Sequence, residues 1–147
     1  MKNYYKKFIV ASVIFIAGLG STKAQVFPES FEGTFPPAGW VIFDNAIGTI
    51  ESWTTTTIAQ AGVQAAYIQY ENVTTGIAED WLVSPLTAIS STANVLSFWE
   101  RETYTTNWGS VYSILVSTSS QTNTATFTTV ATYTENLVNP LVYKPHS

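Results

Sequence analysis

Cysteine is absent from all 147 residues. That excludes disulfide staples, thiolate metal centres and a lipid-carrying cysteine after the apolar leader. Histidine occurs once, as His146, so zinc lacks its usual ligand set and a nucleophilic triad lacks its base. Charged residues make up only 11% of the chain, and no cluster of Lys and Arg forms the electrostatic footprint of a nucleic-acid partner. Outside Gly18-Leu19-Gly20 no glycine cluster could open a phosphate loop. Beyond residue 24 no stretch carries the 3.6-residue apolar period of a helix of ordinary length.

The chain is instead rich in Thr, Ser and aromatics, the last at 14%, a mixture that favours strands. Residues 1–24 read as a signal peptide. Lys2, Lys6 and Lys7 form a positive head, Phe8 to Leu19 an apolar run, and Thr22-Lys23-Ala24 a small-residue cleavage site before Gln25. The run is short of the roughly 20 residues of a membrane span, so no transmembrane segment is expected in the mature chain. Loss of this leader removes four of the six bases. Arg101 and Lys144 then stand against ten acids, a net charge of −8. An acidic secreted or cell-surface domain over residues 25–147 is the expectation, without nucleic acid as a partner.

The strand reading is organised around Glu79-Asp80-Trp81-Leu82-Val83-Ser84, stopped by Pro85, and the answering run Val95-Leu96-Ser97-Phe98-Trp99-Glu100. Pro85 has no N–H to give a ladder, and Leu82 is expected to share a core with Leu96 and Phe98. The linker Thr87–Asn94 is long enough to change sheets. Further strands are expected at Gln25–Gly33, Val41–Phe43, Trp53–Ile58, Gln64–Tyr70, Val95–Tyr104, Val111–Ser117 and Phe127–Tyr133, with Tyr112, Ile114 and Val116 on one face. Short strands at short spacing predict an all-β chain, a jelly-roll β-sandwich of antiparallel strands.

The ordered set Ser30-Phe31-Glu32-Gly33, Phe35-Pro36-Pro37-Ala38-Gly39-Trp40, Asp44, Trp53, Asp80-Trp81-Leu82-Val83-Ser84-Pro85, Leu96-Ser97-Phe98-Trp99 and Val116-Ser117-Thr118 resembles the cleaved-adhesin or choice-of-anchor J domain, the module type of gingipain adhesin regions and similar in layout to MAM domains. The resemblance spans about Val26 to Phe127. It implies an exported, non-catalytic jelly roll that often binds calcium. Ser30, Glu32 and Asp44 match the positions that supply the calcium ligands in that family, and Asn45 or Glu51 could add oxygen where Asp44-Asn45-Ala46-Ile47-Gly48 lacks the further acids. The family continues past Tyr133 into closing strands. The tail here, with Leu137, Val138, Leu141 and Val142 interrupted by Pro140 and Pro145, is therefore expected to cover the sandwich incompletely, and the chain to be the front of a larger protein.

Catalysis finds little support. Glu100 and Glu102 share a strand face at about the separation of a glycosidase carboxylate pair, as many solvated strand acids do. Aromatic faces suit sugars or protein hot spots. Trp40, Trp53, Trp81 and Trp99 are expected to be buried, and a cover is needed for Trp81 if Leu82 on the opposite face is buried too. Trp108, in the polar loop Thr105–Gly109, and Tyr104 are the candidate ligand-binding residues. Two function classes stand: an adhesion or substrate-binding module taking an extracellular protein or glycan, and a structural spacer of a secreted peptidase or other hydrolase whose catalytic part lies elsewhere.

Overall fold

The computed structural model describes residues 4–9, 28–89, 91, 94–135 and 138–147. Over these residues the chain is all-β, with one three-residue 3-10 turn at Thr124–Thr126. Its strands are β1 (Tyr4–Ile9), β2 (Val41–Asp44), β3 (Thr54–Thr56), β4 (Ala65–Tyr67), β5 (Glu79–Val83), β6 (Phe98–Glu100), β7 (Ser110–Val116), β8 (Thr128–Thr134) and β9 (Lys144–His146). A five-stranded sheet runs β2-β5-β1-β7-β8, and two ribbons, β3-β4 and β6-β9, stand apart from it. Pairing is antiparallel in β2–β5, β7–β8 and both ribbons. It departs from the antiparallel expectation at β1, which pairs parallel with β5 on one side and β7 on the other. The expected cleavage point and Gln25–Phe27 lie outside the described residues; Pro28–Gly33 is turn and extended chain rather than strand.

β5 ends at Val83, ahead of Pro85, as the missing N–H requires. Trp81, Leu82, Val83 and Ser84 are all less than 2% exposed, although successive strand residues face opposite ways. Both faces of β5 must therefore be covered. Trp81, Val83 and Leu115 form one core, walled by Val41, Phe43 and Phe127. Phe43 stacks on Trp81 at 5.3 Å and 13°, and Phe127 leans on it at 5.5 Å. β2 brings Phe43 level with Trp81 in the register, and the turn before β8 brings Phe127. The cover for Trp81 thus comes from β2 of its own sheet and from the turn that leads into β8. On the other face Trp53 Nε1 donates to Asp80 O at 3.1 Å, and Phe98 meets Tyr112 and Tyr133 edge-on at 6.5 and 6.4 Å. The β6 strand does reach the sheet from a separate ribbon, but through aromatic rings on β7 and β8.

Two expectations are corrected. Trp99 is 51% exposed, because β6 is an isolated ribbon strand and the alternation that turns Phe98 inward turns Trp99 out. The long strand expected over Val95–Tyr104 is only three residues, paired with β9 alone. The tail also behaves differently from its apolar pattern. Lys144–His146 forms β9 in the ribbon with β6, with Pro145 opposite Trp99, while Val138, Leu141 and Val142 remain exposed. A proline fits there because the ribbon needs no N–H from its outer side.

Candidate functional site

Acidic side chains position the loops. Glu32 accepts from the amides of Val63 (2.9 Å) and Gln64 (3.2 Å) through Oε1. Glu71 Oε2 accepts from Ile50 and Glu51, both at 3.0 Å. Glu135 Oε2 accepts from Trp108 (2.7 Å) and Ser110 (3.1 Å). In each case one carboxylate gathers two nearby backbone N–H groups of a distant loop, a charge-assisted arrangement stronger than neutral hydrogen bonds. Gly62 is required beside Glu32. Its φ is +75°, and a Cβ there would collide with the carboxylate. With Glu29 and Asp44, which accept from the amides of Phe31 and Ala46, five of the ten acids are committed to backbone N–H groups.

These anchors bear on the calcium candidates. Glu32 is engaged as described. Asp44 Oδ1 accepts from the amide of Ala46, two residues on, in a local Asx turn. Ser30 is exposed, next to Phe31, whose φ of +61° and contacts with Phe35 (6.0 Å) and Trp40 (5.4 Å) shape the turn. Asn45 spends its side chain on Ile77 O, Ile47 N and Glu79 N. Among the described residues no three acidic or histidine side chains group as a metal site.

The ligand-binding candidates do come together. An open groove of about 1740 Å³ runs between the five-stranded sheet and the ribbons. Its walls carry Trp53 beside β3, Tyr67 on β4, Tyr70, Trp99 on β6, Tyr104 and Trp108. Trp108 stacks on Tyr70 at 4.6 Å and 15° and remains 40% exposed, held at its own amide by Glu135. Tyr104 is 48% exposed and lies against the Tyr67 phenol. The groove therefore offers several flat apolar faces with hydroxyls and carboxylates beside them.

The groove floor holds a cluster that sequence reasoning missed. Glu100 lies 2.8 Å from His146 Nε2 and 4.0 Å from Lys144 Nζ, and it accepts the Tyr112 hydroxyl. His146 stacks on Phe98 at 4.8 Å and 9°, edge-on to Tyr133 at 4.7 Å. Tyr112 and Tyr133 stack at 4.9 Å. Glu100 is thus not the solvated strand acid expected of it. Arg101, between Glu100 and Glu102, donates through Nε to Leu141 O. The local sequence carried no signal for this, since a tail strand 40-odd residues away supplies His146 and Lys144.

Burial, then the neighbouring Tyr104, then Glu51, push the Tyr67 phenol up to about 12. Burial, followed by the hydrogen bond to Glu100, raises Tyr112 further in the same direction. Because the folded state holds these protons more tightly, the phenols' contribution to stability is complete below the ordinary tyrosine pKa near 10, and that of Tyr67 is lost as pH rises from about 10 through 12. Urea midpoints at pH 9 and 11 are expected to separate widely in the parent and less in Tyr67→Phe. Equal separation in both would remove Tyr67 from the account.

No helix among the described residues is long and apolar enough to cross a membrane. Compared with family models, curated proteins and solved structures, the chain matches none.

Proposed function

We propose that this chain is a non-catalytic adhesion or substrate-binding module of an exported or cell-surface protein, and that it takes an extracellular glycan or protein in the groove between sheet and ribbons. The observation that carries the reading is the Trp108–Tyr70 stack, with Trp108 40% exposed in the groove that Tyr104 also lines. Large exposed aromatics held rigid by their surroundings suit the apolar faces of sugar rings and the anchors of protein partners. The cleaved-adhesin-like motifs support the same reading, under which the sheet and ribbons are the layers of a jelly-roll sandwich.

A glycan and matrix-protein screen with parent and Trp108→Ala is the direct test. Trp108→Ala is expected to lower affinity at least roughly tenfold, as for a central aromatic anchor, with little change in the thermal midpoint because the ring is already 40% exposed. A folded variant that binds as well as the parent ends the groove assignment. A parent that binds nothing in the screen favours the spacer role.

Calcium at Ser30, Glu32 and Asp44 belongs to the same proposal. The ion would compete with the Val63 and Gln64 amides for Glu32. Added Ca²⁺ is expected to raise the parent's melting temperature by linkage and to leave Glu32→Gln unmoved. A parent indifferent to millimolar Ca²⁺ dismisses the site.

A further inference from the structure

Given the groove assignment, on which this rests, we infer that the groove takes a basic polypeptide segment, and that an arginine or lysine side chain of that partner seats on the Trp108–Tyr70 stack beside Glu135. Trp108 and Tyr70 lie face to face at 4.6 Å, with the indole 40% exposed in the groove. The face of an indole carries negative quadrupole density and attracts a guanidinium or an ammonium. Glu135 sits at the foot of the same residue: its Oε2 accepts the Trp108 amide at 2.7 Å and the Ser110 amide at 3.1 Å. Both donors are neutral, so the carboxylate keeps its charge, and Oε1 is left as the acceptor for a cation. A π face and a carboxylate held at one residue are the two halves of a site for a positive side chain.

The charge of the surroundings has the complementary sign. Beyond residue 24 ten acids stand against Arg101 and Lys144. Both bases are engaged at the β6–β9 ribbon: Lys144 lies 4.0 Å from Glu100, and Arg101 Nε donates to Leu141 O at 2.8 Å. Glu29, Glu100, Glu102 and Glu135 line the groove, with Arg101 as the one permanently charged base among its described lining residues. The phenols there register that field. At Tyr67 burial comes first and Tyr104 next, and the charge of Glu51 adds to them; at Tyr112 burial is followed by Glu100, and Glu102 adds. In both cases the carboxylates push the phenol up, as a negative field does. A negative cleft with low-dielectric walls concentrates cations and speeds their arrival. At about 1740 Å³ the groove exceeds the roughly 300–1,000 Å³ of a small-molecule site, and Trp99 and Tyr104 add exposed faces along it. It therefore suits a run of residues rather than a lone cation. Acidic glycans carry the wrong sign, and neutral ones make no use of the carboxylates' charge.

The test uses the full chain and labelled Gly/Ser peptides of one length that carry arginines, glutamines or glutamates at the same positions. Binding is read by fluorescence anisotropy for the parent, Glu135→Gln and Trp108→Ala, each with its thermal midpoint. Glu135→Gln keeps an acceptor oxygen for the two amides and removes only the charge. The arginine peptide is expected to bind the parent at least roughly tenfold tighter than the glutamine peptide, and the glutamate peptide not to bind measurably. Glu135→Gln should weaken the arginine peptide about fivefold and Trp108→Ala about tenfold. The parent's affinity should fall as NaCl rises from about 0.05 to about 0.5 M. An arginine peptide bound no better than the glutamine peptide overturns the inference, and this ranking on the parent decides alone if Glu135→Gln does not fold. Unchanged affinity in a folded Glu135→Gln overturns it too, since net charge rather than the site would then be the attraction. A neutral glycan that binds through Trp108 while the arginine peptide fails leaves the groove assignment standing and removes this one; failure of both ligands removes both.

Discussion

Trp81→Ala is expected to lower stability by about 3–5 kcal/mol, the largest loss of any single substitution in the sheet. The indole is 1% exposed and clasped by Phe43 and Phe127 from two other segments. Truncating a buried tryptophan costs about 3–5 kcal/mol in lost transfer free energy plus the cavity, against a total stability of about 5–15 kcal/mol for a domain. β2 is an edge strand of four residues whose sole ladder is with β5. Phe43 would therefore lose its stacking partner at the same time, leaving β2 its backbone bonds and the packing of Val41 on what remains of the core. Urea denaturation followed by far-ultraviolet circular dichroism reads the effect. Trp99→Ala is the control: at 51% exposure it should shift stability by no more than about 0.5 kcal/mol. A Trp81→Ala variant with the parent's urea midpoint would show that the Trp81–Val83–Leu115 cluster is not the core that holds the sheet.

Glu100→Ala is the second large effect, expected at about 2–4 kcal/mol. The carboxylate is 17% exposed in its side chain and serves His146, Lys144 and the Tyr112 hydroxyl together. Its loss leaves the Tyr112 O–H without its acceptor and removes the carboxylate beside the imidazole, in surroundings of stacked rings where water replaces it poorly. The consequence is local before it is global. β6 and β9 form a ribbon of three residues each, and Glu100 with Phe98 joins that ribbon to β7 and β8. Loosening should appear first as proteolytic sensitivity at residues 138–147. Glu100→Gln, which keeps an acceptor oxygen, should recover about half of the loss. In a double-mutant cycle Glu100→Ala and His146→Ala should couple by more than about 0.5 kcal/mol; additive losses would mean that the 2.8 Å approach contributes nothing.

Strands in this chain were legible where a pattern and its punctuation coincide in sequence. Glu79–Val83 before Pro85, Ser110–Val116 and Thr128–Thr134 each lie within a residue or so of the expected bounds, because alternation, β-branched residues and a missing N–H act locally. The all-β class follows from the same sources, and so does Trp108 as an exposed loop aromatic. Tertiary structure decided the rest. Val95–Tyr104 has the composition of a long strand, but only Phe98–Glu100 finds a partner, and a strand exists only where another chain segment completes its hydrogen bonds. Trp99 and Trp81 carry the same side chain and differ in burial from 51% to 1%, since one lies on a ribbon and the other between strands. Glu32, Glu71 and Glu135 each reach a loop some 20 to 32 residues away in sequence, which no local pattern marks. His146 read as a lone terminal histidine, but the pairing of β9 with β6 sets it beside Glu100. Local chemistry determined which segments could be strands. Only the folded arrangement determined which of them pair, and hence which charges and rings meet.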